Sequence, residues 1–421
     1  MRIHSQLGRR YRQIRDLLVT EGAAGLRDRV RRAAAEALAL KTEVMPVDPD
    51  DVVAADLSKP LRPFIPKLQP GAPMIINWVT IPAGPRSGGH TTMYRMINYL
   101  EARGHKNRVY FYNVYRGDNQ YYESIAREFY GFRGEIGTID KGMQDANAVI
   151  ATSWPTAYPV YNSSCAGKRF YFVQDFEPSF YAVGAMSCLA DNTYRMGYHA
   201  ITAGGWLAQK LSAEYGMHAD YFDFGSDTSH YHLKRSDRSG IVFYARPDTP
   251  RRGFELGLMA IKAFAARRPE IDIHLYGEKV GRLPFRFIDH GRVTADELNE
   301  IYNSCYAGLS LSLTNVSLVP HEMLAAGCIP VVNDAPHNKM VLNNPFVRYA
   351  AADPIALATE LESVITPDFA SLSQAAAASV HAMSWEHAGA KVECVLQKAL
   401  STNSEAADPE LVTAHLDIQR Y

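Results

Sequence analysis

The sequence predicts an α/β protein in which two Rossmann-like units face each other across a cleft, preceded by a helical N-terminal extension. Three observations carry that expectation. From Met74 onward, short and continuously apolar runs alternate with amphipathic helical patterns, the signature of parallel sheets buried between helices. The alternation is interrupted once, by the small and polar stretch DFGSDTSHYHLKRSDRSG at Asp223–Gly240, and then resumes. Finally, 421 residues, 47% of them apolar, exceed one comfortable core and can fill two.

The elements follow in order. Residues 1–68 read as a helical basic extension and a stiff Pro-rich linker, the latter marked by Pro60, Pro63, Pro66 and Pro70. Residues 69–228 form the first Rossmann-like unit, with MIINWVTI as its opening strand. Met93, Ile97 and Leu100 then recur at helical spacing until Gly104 stops the helix. RVYFYNV, NAVIAT, RFYFV and HAITAG are the strands that come next. Residues 229–384 form the second unit: GIVFYA, a helix with Phe254, Leu258 and Ile261 on one face, DIHLYG, RFIDHG, a helix over 294–304, AGLSLSL, a helix near 319–326, and CIPVVN. Residues 385–421 are a C-terminal amphipathic helix and tail.

Composition narrows the function classes. A formal net charge of −1 gives no whole-chain attraction to nucleic acid, so affinity for a polyanion or a membrane has to be local. One such place is residues 1–41, where ten lysines and arginines, Arg9, Arg10, Arg31 and Arg32 among them, face Asp16, Glu21, Asp28 and Glu36. A polybasic amphipathic helix is drawn to anionic head groups; a solvated arm or an oligomer contact is the alternative. Five cysteines (Cys165, Cys188, Cys305, Cys328, Cys394) show no ligand-like spacing, which argues against a zinc site or a disulfide framework and fits a reducing cytoplasm. No apolar run approaches 18 residues, and the N-terminus lacks the order of a secretory signal. A cytoplasmic protein, at most peripheral at the inner membrane face, is expected. The D-x-D at Asp48-Pro49-Asp50 lies in the Pro-bearing extension and reads as solvated, so no metal is expected.

Three motifs carry chemistry. GPRSGGHT, Gly84–Thr91, nearly spells a P-loop, but His90 stands where the phosphate-gripping lysine belongs. RFYFVQD would supply the matching strand, ending in Asp175. Without the lysine, the turn can still offer backbone N–H groups to an anion at a helix N-terminus, or Gly88 and Gly89 can simply serve a tight turn. YARPDTPRRGF puts Arg246 at a strand end and Arg251 and Arg252 at the next helix start, where guanidinium groups can converge on a diphosphate; solvated surface charges are the alternative. Glu322 lies in the short helix before LAAGCIPVV. Small residues and Gly327 let that helix approach the sheet and aim Glu322 at the cleft, against the alternative of a capping or solvated carboxylate.

These residues carry a resemblance. HEMLAAGCIPVVND resembles the E-A-x-A-x-G-x-P-V-V segment of retaining GT-B glycosyltransferases of the family 4 type, and YARPDTPRRGFELGLMAIKAF resembles their G-R-x…K-G-x-x-x-L-I-x-A-F segment. VTADELNEIYNSCYAGLSLSL resembles the element beside the donor base, SGGHTTMYRMINYLEARGH the glycine-rich loop and first helix, and DFGSDTSHY the N-G-V-D linker. The likeness spans about Met74 to Leu400. YFVQDFEPSFYAVGAMSCLADNTYRMGYHAITAGGWLAQKL is similar to a subgroup, the rhamnosyltransferases that build bacterial surface and S-layer glycans from dTDP-L-rhamnose.

The resemblance implies the GT-B fold, a nucleotide-sugar donor in the C-terminal half, a glycan or lipid-linked glycan acceptor in the N-terminal half, transfer with retention, and no cofactor. It makes Glu322 the carboxylate that holds ribose hydroxyls. Arg246 with Arg251 or Arg252 becomes the diphosphate grip, aided by the Gly88-Gly89 amides, and Val293 falls beside the base. Catalytic roles fall to Arg246, Arg252 and Asp175. Three departures stand out: Thr314 occupies the place of a second glutamate, so sugar recognition near Thr314, Asn315 and Ser317 differs; Gln174, followed by Asp175 and Glu177, replaces a histidine; and Arg252 replaces a lysine. His90, Asp175 and Glu177 are acceptor-side candidates, and Trp154 or Tyr181 could stack on a sugar ring or belong to the core. A P-loop-like NTPase and a non-catalytic carbohydrate-binding protein are the competing classes.

Overall fold

The computed structural model describes residues 22–31, 34, 45–61, 63–69, 71–85, 87–235 and 237–401. The first sheet contains β1 (Ile75–Thr80), β2 (Lys106–Phe111), β3 (Glu135–Thr138), β4 (Ala148–Ala151), β5 (Lys168–Val173), β6 (His199–Ala203) and β7 (Ala219–Phe222). All pair in parallel, in the order β3-β2-β1-β4-β5-β6-β7. The second contains β8 (Gly240–Ala245), β9 (Asp272–Gly277), β10 (Ile288–Gly291), β11 (Cys305–Leu309), β12 (Ile329–Asn333) and β13 (Arg348–Ala350), also parallel, in the order β10-β9-β8-β11-β12-β13.

Both orders reverse direction once, between β1 and β4 and between β8 and β11. Loops leaving those two strand pairs diverge and open a crevice at their carboxyl ends, which is where open α/β sheets bind ligands. Central strands explain why the apolar runs were readable: β6 and β12 are buried at every residue. The sequence reading did not contain β3, β7 and β13, and all three are edge strands. An edge has one neighbour and more solvent, so Glu135, Asp220 and Arg348 are tolerated there and the apolar signal fades. AGLSLSL also needs correcting: β11 starts at Cys305 and stops at Leu309, leaving Ser310–Leu313 as loop.

Two features set the helix that carries Glu322. Gly308 in β11 faces Met323, and a Cβ there would stand 2.5 Å from Met323 Cε and 3.0 Å from a Val242 methyl. Arg238, buried beneath the same helix, donates to the carbonyls of Tyr302 (2.6 Å), Cys305 (3.2 Å), Arg235 (3.2 Å) and Ala326 (3.0 Å) and to Ser373 Oγ (3.1 Å). Helix Val319–Ala325 therefore rests directly on the sheet and ends at Gly327, whose φ of +71° suits only glycine comfortably.

The flanking segments are laid on the first unit. Val47 is fully buried there, and the Tyr112 hydroxyl donates to Asp51 Oδ2 at 2.6 Å. Asp48, the first acid of the D-x-D, caps helix Pro49–Ala54 by accepting from Asp50 N at 3.0 Å. Residues 22–31 are helical, and Asp28 is buried against the first unit, where its carboxylate accepts from the Tyr122 hydroxyl. The remainder of the basic stretch, residues 1–21 and most of 32–44, lies outside the described residues. The C-terminal helix Trp385–Ser401 crosses back to the first unit: Glu393 Oε1 is 3.0 Å from His105 Nε2, and Lys168 Nζ donates to the Ala399 carbonyl at 3.0 Å. The two crossings between units touch, since Ser226 N donates to Met383 O at 3.0 Å and Gly225 packs on Trp385. No described helix is long and apolar enough to cross a membrane.

Gly308→Val should lower unfolding stability by about 1–3 kcal/mol, the usual cost of overpacking a filled core. Urea denaturation measures it; an unchanged midpoint would mean that the Glu322 helix does not rest on this glycine.

Candidate active site between the two sheets

Arg246 is the first residue after β8. Its Nη1 donates to the Tyr244 hydroxyl at 3.1 Å and its Nη2 to Thr249 Oγ1 at 3.3 Å, and Nε lies 3.5 Å from Glu278 Oε1. Glu278 follows β9 as Arg246 follows β8, so neighbouring strand ends supply the pair. A single turn, Pro250–Arg252, then sets two more arginines ahead of helix Phe254–Arg267. Arg252 Nη1 donates to Ser312 Oγ at 2.6 Å and to the Asn315 carbonyl at 3.3 Å. Arg251 reaches across the cleft: Nε stands 3.4 Å from Asp175 Oδ2, and the guanidinium lies 4.3 Å from the centre of the Phe180 ring.

The opposite wall comes from the loop after β5. Gln174 Nε2 donates to the Gly89 carbonyl at 2.9 Å, and the Gln174 carbonyl accepts from Asn315 Nδ2 at 2.9 Å. One residue on, Asp175 sits among Arg251, Arg252 and Thr314. Burial raises its pKa, while Arg252, the adjacent Thr314 hydroxyl and Arg251 pull it down. The glycine-rich turn ends in helix Gly88–Ala102, whose first residue has open space where a Cβ would project.

Several candidates turn out to be tied into the fold. His90 points its ring back at β1: Nε2 is 2.8 Å from the Ile81 carbonyl and 3.1 Å from Thr80 Oγ1, and Nδ1 is 2.8 Å from Ser87 Oγ. That side chain cannot play the part of a P-loop lysine. Glu177 is buried; it accepts from Trp154 N at the start of helix Trp154–Asn162 and from the Tyr171 hydroxyl at 3.2 Å. Trp154 is 2% exposed and donates through Nε1 to the Tyr181 hydroxyl at 3.0 Å, so it belongs to the core. Asp175 is the acceptor-side candidate that faces the cleft.

Glu322 is part-buried, and its carboxyl has no hydrogen-bond partner among the described residues. Burial pushes its pKa up to about 7, with Arg95 opposing and Asp227 reinforcing the shift. Arg95 is itself held by Asp227 at 2.6 Å and lies 4.6 Å from the Trp385 ring. Leading up to Glu322, Asn315 Oδ1, Ser317 Oγ and both ring nitrogens of His321 are buried without a protein partner, while Thr314 Oγ1 has Asp175 beside it. Each such atom costs about 1–3 kcal/mol, so their concentration in one loop and helix start marks a place built for polar contact from outside the protein. Val293 follows β10, part-buried against the same core.

Sequence reasoning missed Glu278, the Arg95–Asp227 pair, Phe180 and His321. Glu278 could have been found, since YGE ends a strand of the same series. Arg95 and Asp227 lie 132 residues apart and leave no local pattern.

A model of the WsaF C-terminal domain matches residues 239–362, and one of the WsaF N-terminal domain matches residues 140–203. The O-antigen biosynthesis protein RfbC of Myxococcus xanthus is 32% identical over 272 residues, 61% of this chain and 21% of RfbC. The chain thus spans about a fifth of the length of this curated relative. Among solved structures, TarM superposes with a TM-score of 0.65 at 8% identity, covering 80% of this chain and 100% of TarM. Anabaena HepE in complex with UDP and glucose gives 0.58 at 13% identity, over 77% and 100%. A putative UDP-N-acetylglucosamine 2-epimerase from Listeria monocytogenes gives 0.52 at 9%, over 78% and 97%. At such identities these likenesses establish the fold, which is GT-B.

Burial pushes Glu177 up to about 8 from an ordinary value of 4.5. The folded state therefore holds a proton that the unfolded chain releases, and the stability this contributes is lost as pH rises through about 8. Thermal midpoints measured from pH 6 to 9 should fall more steeply for the natural chain than for Glu177→Gln; parallel curves would refute the assignment.

Proposed function

We propose that this protein is a glycosyltransferase that moves a sugar, L-rhamnose from dTDP-L-rhamnose, onto a bacterial surface glycan with retention of anomeric configuration. The observation that carries the reading is the unpartnered polar surface from Asn315 to Glu322, which shares one wall of a GT-B cleft with Arg246, Arg251 and Arg252 and has Asp175 on the wall opposite. The matches to WsaF domains and to an O-antigen biosynthesis protein support glycan assembly, and the UDP held by HepE supports a nucleotide-sugar donor.

In this reading Glu322 accepts a hydrogen bond from the 3′-hydroxyl of the donor deoxyribose, and Val293 packs beside the base. Arg246 and Arg252, with the Gly88 and Gly89 amides, hold the diphosphate and stabilise the charge that builds on it as it leaves. No metal is required for that task. Thr314, Asn315 and Ser317 meet the sugar, where a hydroxyl in place of a carboxylate suits a deoxysugar with fewer hydroxyls to bind. Before donor binding, the Asp175 carboxylate occupies Arg251; the diphosphate takes its place and releases Asp175 towards the acceptor. The acceptor oxygen attacks the anomeric carbon on the face the diphosphate leaves. As the new glycosidic bond forms, the bond to the phosphate oxygen breaks and the acceptor proton passes to that oxygen. The acceptor, a glycan or lipid-linked glycan, approaches along the N-terminal unit at the cytoplasmic membrane face.

Thermal-shift screening against dTDP, UDP, GDP and ATP, followed by nucleotide release from the matching donor with a rhamnose-bearing acceptor, tests this. Stabilisation by dTDP is expected, and Glu322→Ala should abolish it. Stabilisation by ATP alone would overturn the reading, and binding without release from any donor would leave a carbohydrate- or nucleotide-binding protein. The deoxyribose 3′-hydroxyl favours the ionised carboxylate, so dTDP affinity should rise as pH passes the Glu322 value of about 7, and Glu322→Gln should flatten that dependence.

The basic stretch 1–41 is assigned to anionic head groups beside the acceptor. The full chain should co-sediment with anionic vesicles at low salt and release at high salt; no binding at low salt would remove this part of the proposal.

A further inference from the structure

We propose that His199, His218 and Asp220 form a binding site for one divalent transition-metal ion of the zinc class, on the edge of the first sheet and remote from the cleft. The placement follows from register. Parallel pairing sets Ala200 against Ala219 and Ile201 against Asp220, so His199 at the start of β6 stands beside His218 just before β7. Alternate residues of a strand share a face, which points His218 and Asp220 the same way as His199. All three lie at the amino ends of their strands, whereas the cleft lies at the carboxyl ends.

The side chains converge. His199 Nε2 is 2.9 Å from Asp220 Oδ2 and 3.0 Å from His218 Nδ1, and the two rings lie 4.1 Å apart at 66°. One in-plane orbital of Nε2 thus faces two partners and has a single proton to offer them. A metal ion in place of that proton would satisfy all three atoms. Zinc holds nitrogen and oxygen at about 2.0–2.2 Å in a tetrahedron, which sets ligand atoms roughly 3.3 Å apart, so an opening of a few tenths of an ångström admits the ion. Two imidazoles and a carboxylate suit zinc, cobalt or nickel and not magnesium.

The surroundings are those of a held but open site. Phe170 stacks on His199 at 5.2 Å and 29° and fixes its ring. His199 is buried, His218 exposed and Asp220 part-exposed, which leaves a fourth position to water. Lys168 lies near His199, but its ammonium is engaged by the Ala399 carbonyl; its charge opposes a cation and weakens the site without closing it. Bound metal would tie edge strand β7 to β6, and helix Trp385–Ser401 packs on β7. No motif spacing announces the site, because His199 and His218 are 19 residues apart and meet only through strand pairing.

The full-length chain, stripped with EDTA and dialysed, is titrated with zinc chloride by calorimetry and thermal shift, with magnesium chloride as control. The expected result is one equivalent of zinc bound, a thermal midpoint raised by a few degrees, and no effect of magnesium. His218→Ala and Asp220→Asn, at exposed and part-exposed positions, should each weaken zinc binding at least tenfold while leaving the metal-free midpoint nearly unchanged. Cobalt should give the visible absorption of a four-coordinate site in the natural chain alone. Absence of zinc binding, or equal binding by His218→Ala, overturns the proposal. None of the three readouts depends on sugar transfer.

Discussion

The Arg238 guanidinium is the interaction on which the second unit turns. It is one buried cation shared among the carbonyls of Tyr302, Cys305, Arg235 and Ala326 and the Ser373 hydroxyl. Three of those carbonyls lie at the ends of two helices and the start of a strand, and the fourth, of Arg235, in the preceding loop, so acceptors from separate elements meet a single five-donor group. Burying a cation is unfavourable unless every donor is used, and here nearly every one is. The arrangement fixes the end of helix Val319–Ala325 against the sheet. Glu322, near the middle of that helix, inherits its position from a charge buried beneath the helix end.

The cleft shows the opposite condition. On its walls polar groups are buried and left without partners, among them Asn315, Ser317 and both nitrogens of His321. A folded chain can carry such costs at one place because Arg238 and the continuous cores settle the remainder. Of the charges that pair there, Arg251 and Asp175 meet across the units, Arg246 and Glu278 within the second, and Arg95 meets Asp227 of the connecting segment. The relative placement of the units therefore draws on side chains that line the cleft.

Most of the fold could be read in advance because parallel sheets bury their central strands on both faces. MIINWVTI, RFYFV, GIVFYA and CIPVVN are apolar for that reason. The edges escaped notice because one missing neighbour removes the demand for an apolar run. AGLSLSL misled in a different way: its alternation mimics a strand, but its second half is a loop in which Ser312 meets Arg252 through its hydroxyl and His337 through its carbonyl. Of the site, Glu322 and the three arginines were legible since each sits at a fixed offset from a strand or a helix start. Glu278 was within reach of the same logic. Arg95 with Asp227, and His199 with His218, were not, because only tertiary pairing brings them together. His90 and Glu177 carried the right chemistry in the right loops, and only their hydrogen bonds show that they serve the fold.

The chain passes between the two units twice, near Gly225 and again at Met383–Trp385, and the passes are bonded to each other through Ser226 and Met383. A single tether would let one unit swing and twist freely against the other. Two segments bonded side by side act as a door hinge: they define an axis, permit rotation about it and resist torsion. Any widening of the cleft is then a motion of one angle, and the arginine wall returns to the same opposing residues each time it closes.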